Sequence, residues 1–354
     1  MQSTSYKFEL DGAMEDVWCP TTSVGTWVAV HPQTGEEFIT GNSSPNLAQV
    51  PAVHEYRELF GAQPGRVVVG ADLANIEIRV LAHYLSKYDD GRYAKIVLSK
   101  DMHWYHAKLA GFWTVDDREW PDDDNVDKRT PEMKAARTQS KAFFFSFMYG
   151  SGDTVRGDSL WFDGCLSEYT GKEYKTAKTR VERRLKLING VQYFPLKKDM
   201  YIKYDEKLIL KTIYGKHIAE TFKKNLTGFL ELSKACQKES KETGTVTAID
   251  GRKLVSRSPH SALNLLLQGS AGVIAKRWMV NYHELAAERG LPHGDKWTQS
   301  AFIHDEFQCS CDAEYADDLG KIMVDGCAMI QKQYNTALPI EADYIVGFTW
   351  AETH

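Results

Sequence analysis

Apolar segments with strand character lie near both ends of this chain, and a long stretch of helical periodicity separates them. The first is RVVVGA at residues 66–71. Two later ones lie on either side of HDE in SAFIHDEFQC at 300–309, and the last is the closing IEADYIVGFTW at 340–350. Buried strands need hydrogen-bonded neighbours, so these distant segments must meet in one sheet. Segregation of strands and helices is typical of α+β folds. We therefore predict a sheet built from both ends of the chain, with a largely helical region between its strands.

The composition fits a globular protein with a substantial core. With 354 residues, 43% of them hydrophobic, the chain could form one large domain or two or three lobes. Its six cysteines include no CxxC pair, which favours a reduced, intracellular setting. No charged and then apolar leader opens the sequence, and no apolar run approaches the ~18 residues of a membrane span. We predict a cytoplasmic protein without a membrane partner.

Charge is distributed unevenly along the chain. The formal net charge is -5, yet residues 171–257 carry 21 Lys and Arg against 10 Asp and Glu, a local net charge of +11. Such a segment is typical of a solvated helical surface, and it would also suit a track for a polyanion. The part at 171–243 is predicted to be mostly helical, with breaks at Gly190, Pro195 and Gly215.

Two aspartates end strand-like segments that are far apart in the sequence. Asp72 follows the strand at 66–71, and Asp305 lies at the predicted turn of the later hairpin. Taken singly, each aspartate also fits a turn or a helix cap. At neighbouring strand ends, two carboxylates would repel each other unless a cation lay between them. Oxygen ligands favour Mg²⁺, and two such ions can activate an attacking hydroxyl and stabilise a leaving phosphate.

A helix predicted at 132–149 carries a row of cations and aromatic rings. The row consists of Arg137, Lys141, Phe145 and Tyr149. Because these residues are spaced four apart, they lie along one side of the helix. The cations could neutralise a triphosphate, and the rings would offer apolar surface to a base and a sugar. A partly basic helix is common, but together with two aspartates at strand ends this row predicts a nucleotidyl-transfer site.

Three ordered motifs resemble those of the family-A DNA polymerases, the DNA polymerase I type. DLANIEIRVLAH at 72–83 resembles the first family motif, RTQSKAFFFSFMYG at 137–150 the second, and HDE at 304–306 the third. The segments SSPNLAQVP, DMHWYHA, DGRKLVSRSPHSALNLLLQGSAG and WAETH are most similar to the replicative enzymes of short-tailed phages. The similarity extends from about residue 40 to the end of the sequence. For a phage-encoded chain, the predicted cytoplasm would be that of an infected host cell.

The resemblance implies a right-hand polymerase fold of the α+β class, with an antiparallel palm sheet and helical fingers. It divides the chain into an N-terminal extension at 1–40, a first part of the palm at 41–85, fingers at 86–262 with an acidic, solvated insertion at 114–129, and a second part of the palm at 263–354. Nothing in the sequence resembles the family's thumb or exonuclease domains. We therefore predict a second polypeptide that supplies a thumb, an exonuclease or both, as in a split polymerase.

The resemblance also implies roles for individual residues. The metal ligands for two Mg²⁺ ions would be Asp72, Asp305 and the backbone carbonyl of Leu73, with Glu306 as a supporting catalytic carboxylate. The nucleotide-binding residues would be Arg137, catalytic Lys141, His103, Phe145, Tyr149 and Glu77. Glu77 occupies the family position that excludes a ribose 2′ hydroxyl. Primer-template DNA would be contacted by His260, Asn264, Gln268, Arg257 and His304.

These residues imply DNA synthesis from deoxynucleoside triphosphates (dNTPs). A primer 3′ hydroxyl would attack the α-phosphorus while the metal ions and cations hold the triphosphate and the leaving pyrophosphate. Three alternatives stay open. One is a noncatalytic, polymerase-derived subunit that binds DNA or an assembly partner, and another is a single-subunit RNA polymerase, which Glu77 disfavours. The third is a metal-dependent nuclease, in which the row from Arg137 to Tyr149 would have no role.

Overall fold

The structure of the protein is a computed structural model. It describes residues 54–353 except for 114–118, 122, 149, 163, 167, 198 and 199, together with residue 50 and four short strands nearer the N-terminus. These are β1 (Tyr6–Leu10), β2 (Ala13–Val17), β3 (Trp27–Val30) and β4 (Glu37–Thr40). They pair antiparallel, β1 with β2 and β3 with β4. The rest of the predicted N-terminal extension at 1–40 lies outside the described residues.

The chain divides into two compact units. The first unit combines Met1–Ile76 with Ala271–His354, and the second unit is the continuous segment Glu77–Ser270. The assignment of palm and fingers, with boundaries at 85 and 262, stays a prediction. Within the described part of the chain, we find no helix that combines the length and the apolar character of a membrane span.

A four-stranded antiparallel sheet forms the centre of the first unit. Its strands are β5 (Arg66–Leu73), β11 (Trp297–Ile303), β12 (Glu306–Asp312) and β13 (Ala342–Gly347), in the spatial order β11, β12, β5, β13. Residues 68–71 of the interior strand β5 are all buried. Burial on both faces explains why this strand is a continuous apolar run rather than an alternating one. The prediction of an antiparallel sheet built from both ends of the chain is confirmed.

Two long helices accompany the sheet in the first unit. They are α10 (Ala262–Glu288), whose larger part belongs to this unit, and α11 (Ala316–Tyr334). Trp278 and Tyr282 of α10 are fully buried, and their ring centroids lie 4.8 and 5.4 Å from that of Phe307 on β12. The Trp278 indole donates to the backbone oxygen of Met323 on α11 at 2.7 Å, so its polar atom is satisfied inside the core. Helix α1 (His54–Arg57) completes the helices described in this unit.

The second unit is mainly helical. Its helices are α2 (Ile76–Asp89), α3 (Arg92–Val97), α4 (Met102–Ala110), α5 (Pro131–Met148), α6 (Asp153–Leu160), α7 (Gly171–Glu182), α8 (Lys207–Asn225) and α9 (Phe229–Thr243). Phe143 and Phe144 of α5 are fully buried, with ring centroids 5.3 and 6.3 Å from that of Phe222 on α8. The helix predicted at 132–149 is confirmed as α5. Its apolar side anchors it in this core.

The basic segment is less helical than predicted. Between α7 and α8 the chain forms an antiparallel sheet of β6 (Lys186–Ile188), β7 (Val191–Lys197) and β8 (Met200–Lys203). Asn189 and Gly190 join β6 to β7 with φ of 49° and 78°. Positive φ at both residues is what a two-residue hairpin turn requires, and an Asn-Gly pair is its sequence signal. The prediction of helix on both sides of Gly190 was wrong, because the Asn-Gly pair joins two strands rather than two helices.

A second hairpin follows α9 and agrees with the prediction. It consists of β9 (Thr245–Thr247) and β10 (Lys253–Val255), which pair antiparallel. Gly251 in the connecting loop has a φ of 86°. The hairpin predicted around Asp250 and Gly251 is therefore confirmed.

Gly215 does not interrupt a helix but allows two helices to touch. It lies inside α8, where a Cβ atom would come 2.1 Å from the backbone oxygen of Asp153 on α6. A Cβ atom on Gly157 of α6 would come 1.7 Å from the backbone oxygen of Lys211 on α8. The predicted break at Gly215 was therefore wrong. Close approach of two backbones, rather than chain reversal, is the reason for both glycines.

We predict that Gly157→Ala lowers the free energy of unfolding by about 3 kcal/mol or more, because the added methyl group would force α6 away from α8. Gly272→Ala in α10 is the control, since a Cβ atom there meets nothing within 4 Å. We expect this control to change the free energy by no more than about 1 kcal/mol, in the stabilising direction. Urea unfolding of both variants measures the difference. Equal effects of the two substitutions would contradict the packing described here.

Candidate functional site

The two aspartates predicted to bind metal lie at adjacent strand ends in the first unit. β12 and β5 pair so that Glu306 stands directly opposite Asp72. The backbone N–H of Leu73 donates to the backbone oxygen of Asp305 at 3.2 Å, which holds the turn before β12 against the end of β5. Asp72 is exposed and Asp305 is half-buried. The structure therefore brings together two carboxylates from opposite ends of the chain.

This edge of the sheet offers oxygen atoms as metal ligands. Asp343 on β13 is also directly opposite Asp72 and is exposed. Like charges on neighbouring strands are destabilising, and a divalent cation would relieve the repulsion. Among the residues that the structure describes, no group of three or more His, Cys, Asp and Glu side chains could hold a metal ion. Water and substrate phosphates would complete the coordination, as they commonly do for Mg²⁺. The ligands fit Mg²⁺, and the part of the Leu73 carbonyl stays a prediction.

Glu306 has a different environment from the two aspartates. It is only 4% exposed, and its Oε1 accepts hydrogen bonds from Trp350 Nε1 at 2.6 Å and from Gln308 Nε2 at 2.5 Å. The Oε1 atom of Gln308 in turn accepts from the Thr353 hydroxyl at 2.8 Å. These bonds fasten residues 350–353 to the sheet. The geometry describes a carboxylate that anchors the strand end next to Asp72, and its predicted catalytic role remains a prediction.

His304 forms the tip of the turn between β11 and β12. It is exposed and has a φ of 58°. A side chain in this left-handed region costs roughly 1 to 2 kcal/mol, although His tolerates it better than most residues. The strained position presents the imidazole to solvent beside Asp305. Its predicted contact with DNA is not tested by this geometry.

Four of the residues predicted to bind the nucleotide lie together in the second unit. Arg137, Lys141 and Phe145 lie on α5, and His103 on α4 is beside them. The ring centroids of His103 and Phe145 are 6.2 Å apart. Arg137 and Lys141 both act electrostatically on the imidazole. The row predicted on one helix is therefore part of a cluster formed by two helices.

The cluster keeps His103 uncharged. Burial, helped by the positive charges of Arg137 and Lys141 and opposed by Asp101, lowers the pKa of His103 to about 4. The Nδ1 atom is buried and has no hydrogen-bond partner among the described residues. At neutral pH the imidazole is therefore a neutral hydrogen-bonding group beside two cations.

Two residues outside the predicted set hold Arg137 in place. Asp101 Oδ2 accepts from Arg137 Nε at 2.8 Å, while Asp101 Oδ1 caps α4 by accepting from the backbone N–H of Trp104 at 2.8 Å. The guanidinium also lies over the ring of Trp120, 5.6 Å from its centroid. An aspartate just before a helix is a recognisable N-cap signal. No local sequence signal predicts the bond from Asp101 to Arg137, which lies 36 residues later in the chain.

Trp120 anchors part of the acidic insertion. Its ring lies 5.4 Å from that of Trp104 between centroids, and the guanidinium of Arg129 lies 4.7 Å from its centroid. The neighbouring Glu119 forms an ion pair with Lys100 at 3.2 Å. The prediction of a solvated insertion is therefore wrong around Trp120, because the indole and the stacked cations pack on α4. Residues 114–118 and 122 of the insertion lie outside the described part.

A cavity of about 450 Å³ opens at the C-terminal end of α5, within the second unit. His260 and Asn264 line it, as do Phe147, Arg156 and Lys223. The two cations lie 5.8 and 5.5 Å from the centroid of the Phe147 ring. Cations close to aromatic surface are typical of sites for single-stranded nucleic acid. The cavity thus contains two of the predicted DNA contacts.

The remaining residues predicted to bind the nucleotide or DNA are not part of this cluster or cavity as the structure describes them. Gln268 and Arg257 are exposed, and Glu77 is half-buried in the first turn of α2. Tyr149 lies outside the described residues. The roles of these four residues stay predictions.

Comparison with known proteins decides the family. Residues 26–352 match DNA polymerase family A. This chain belongs to that family. It is 27% and 26% identical to the DNA-directed DNA polymerases of Enterobacteria phage T3 and Escherichia phage T7, over 89% of this chain and 40% of theirs. This family-A chain therefore spans about 40% of the length of those curated relatives.

Cellular relatives and a solved structure extend the comparison. The family-A chain is 23% identical to DNA polymerase I of Aquifex aeolicus over 89% of this chain and 44% of that protein. Its fold is similar to that of the POL domain of Pol1 from M. smegmatis, solved in complex with DNA primer-template and dNTP. The TM-score is 0.58 at 19% identity, covering 93% of this chain and 48% of that one. The predicted α+β polymerase fold is confirmed.

We predict that His103 makes the protein less stable in acid. Because its pKa is near 4 in the folded chain and about 6.5 when unfolded, the unfolded state binds the extra proton between these values. The free energy of unfolding should therefore fall by about 1 to 2 kcal/mol as the pH drops from 6.5 to 4, after allowance for solvent screening. Urea unfolding should show that the free energy of unfolding falls less between pH 6.5 and 4 for His103→Gln than for the original protein. An equal fall in the free energy of unfolding for His103→Gln and the original protein would refute the prediction.

Proposed function

We propose that this family-A chain catalyses template-directed DNA synthesis, extending a primer 3′ hydroxyl with dNTPs. The observation that carries the proposal is the hydrogen bond from Leu73 to Asp305, which places Asp305 beside Asp72 at one sheet edge. Membership of DNA polymerase family A supports it, as do phage relatives named DNA-directed DNA polymerase. The similar M. smegmatis domain was solved with primer-template and dNTP, which are the partners proposed here.

Asp72 and Asp305 would hold two Mg²⁺ ions, as the family resemblance implies. Bound ions would supply the Lewis acidity that activates the primer hydroxyl and stabilises the leaving pyrophosphate. The chain's own contribution is to present two carboxylates at a fixed separation, because both adjoin hydrogen-bonded strands. Glu306 would act as a positioning residue. Its bonds to Trp350 and Gln308 fasten the segment after β13 to the start of β12, next to Asp72.

Arg137 and Lys141 would bind the phosphates of the incoming nucleotide. A guanidinium has five N–H donors, and the Asp101 bond occupies only the one at Nε. The bond to Asp101 and the ring of Trp120 would orient the guanidinium and reduce the entropy that it loses on binding. Neutral His103 would add a hydrogen bond without a third positive charge, and Phe145 would offer apolar surface to the sugar.

We also propose that polypeptide outside these 354 residues helps to grip the duplex. The two phage relatives are each matched over only 40% of their length, and contacts to phosphate supply much of the affinity for DNA. A second polypeptide that supplies a thumb or an exonuclease is the form of this hypothesis that the sequence predicts. Primer extension by the chain alone, and then with a candidate partner, tests it directly.

We predict that Asp72→Asn and Asp305→Asn each reduce Mg²⁺-dependent primer extension at least ~1,000-fold, which corresponds to ~4 kcal/mol of lost transition-state stabilisation. Added Mg²⁺ should stabilise the original protein more than either variant.

Asp343→Asn is the matched control for these substitutions. It removes an exposed carboxylate from the same sheet edge but not a predicted ligand. We expect it to retain extension and the Mg²⁺ effect. Full activity of Asp72→Asn would overturn the metal assignment. DNA binding without extension in every reconstitution would favour the noncatalytic alternative.

We predict that Glu77→Ala raises the use of ribonucleotides relative to deoxynucleotides by about 10-fold or more, because a packed side chain would no longer exclude the 2′ hydroxyl. The measurement is kcat/KM for matched pairs such as ATP and dATP in primer extension. Glu58→Ala, an exposed glutamate outside the predicted site, is the control. An unchanged sugar preference would remove Glu77 from this role, and a starting preference for ribonucleotides would favour the RNA polymerase alternative.

A further inference from the structure

An open groove of about 620 Å³ runs along α7 in the second unit. It is lined by Lys175, Thr176, Thr179, Arg180, Arg183 and Arg184. These residues are all exposed. The groove therefore has four positive charges and two hydroxyl groups on its walls, and the residues described as lining it include no carboxylate. Such a surface is suited to a ligand that carries several negative charges.

The helix that carries this groove is rigidly held. Its first turn is fixed by a capping box, in which Thr170 and Glu173 exchange hydrogen bonds of 2.8 and 3.2 Å. On the side away from the groove, Ala177 packs with Ile209 of α8 and Val181 packs with Phe194 of β7. The cations are therefore displayed from a preformed surface, which limits the entropy lost on binding.

Two of the cations are less available than the others. Arg180 pairs with Asp153 at 2.7 Å, and Arg184 lies over the Phe194 ring, 4.6 Å from its centroid. Neither Lys175 nor Arg183 has an ion pair among the described residues. They are eight positions apart on or just beyond one helix, a separation of about 12 Å at 1.5 Å per residue.

The groove continues into the cavity at the end of α5. Arg180 and Arg184 line both, and the cavity adds Arg156 and Lys223 beside the ring of Phe147. Together the two are lined by six Lys and Arg side chains and, in the described part of the chain, a single carboxylate, that of Asp153. A simple anion would need only the cations of the α7 groove. A single-stranded nucleic acid has a charged backbone and separate flat rings, so it would use both the groove and the aromatic cavity.

We propose that the α7 groove binds the phosphates of an unpaired nucleic acid strand. None of the six groove residues is among those individually predicted to contact DNA, although use of the groove on a template overhang rests on the proposed DNA synthesis. Lys175 and Arg183 contribute most of the binding, because their charges are not neutralised within the protein. The groove thereby accounts for part of the positive charge of residues 171–257.

The test compares a double variant, Lys175→Ala with Arg183→Ala, with the original protein. Both side chains are exposed, so the variant should fold, and circular dichroism and thermal unfolding check this. The probes are primer-templates that share one duplex but have 5′ overhangs of about 2 or about 12 nucleotides, and the free long strand. A control that also removes two charges is Lys178→Ala with Lys238→Ala, two exposed lysines outside the groove.

Fluorescence anisotropy should show that the original protein and the control bind the long overhang more tightly than the short one. The double variant should lose about 10-fold in affinity for the long overhang and for the free strand, with little change for the short overhang. A plot of the logarithm of the binding constant against the logarithm of the salt concentration should be less steep for the double variant. The slope should be smaller in magnitude by about 1.4, because each lost phosphate contact on a single strand accounts for about 0.7.

Other outcomes would overturn the proposal. The proposal fails if the double variant still binds the long overhang more tightly than the short one. It also fails if the double variant loses affinity equally for both primer-templates. A preference of the groove for a polyglutamate peptide over single-stranded DNA of equal charge would indicate a protein partner instead. Loss of free-strand binding in the double variant, with no primer extension by the original protein, would uphold the groove while refuting the proposed synthesis.

Discussion

The register between β5 and β12 is the constraint on which the first unit depends. Side chains alternate between the faces of a strand, so a slip of one residue would turn the Asp72 carboxylate to the opposite face of the sheet. In the observed register, Asp72 stands opposite Glu306, and the Leu73 N–H reaches the backbone oxygen of Asp305. Burial of residues 68–71 makes β5 an interior strand with a partner on each side. Its pairing with β12 thereby sets the positions of the carboxylates at the strand ends.

Environment separates the acidic residues at this edge into two kinds. Glu306 is buried and bonded to Trp350 and Gln308, whereas Asp72 and Asp343 are exposed. The second unit uses the same contrast for its basic groups. Burial and the charge of Arg137 keep His103 neutral, while Arg137 itself is steadied by Asp101. In both units, a buried polar group with defined surroundings lies next to a charged group that is at least partly exposed to solvent.

The sequence predicts most where the signals are local or where a family motif carries them. The apolar strand at 66–71, the helix at 132–149 and the paired aspartates all followed from such signals. The sequence predicts less where partners are distant. The Asp101 contact to Arg137 and the packing of Trp120 depend on tertiary approach, which periodicity does not encode. The sequence also does not distinguish a glycine that ends a helix from one, such as Gly215, that lets the backbone of a neighbouring helix approach closely.

The interleaving of the two units has a consequence for the order of folding. Glu77–Ser270 is continuous, so this unit can gather its core as soon as that segment leaves the ribosome. The central strand β5 is made earlier, yet its partners β12 and β13 lie more than 200 residues later in the chain. Until they arrive, an apolar strand with open edges must remain unpaired, which exposes it to aggregation. Synthesis of this protein is therefore expected to depend on chaperones that shield residues 66–73 during elongation.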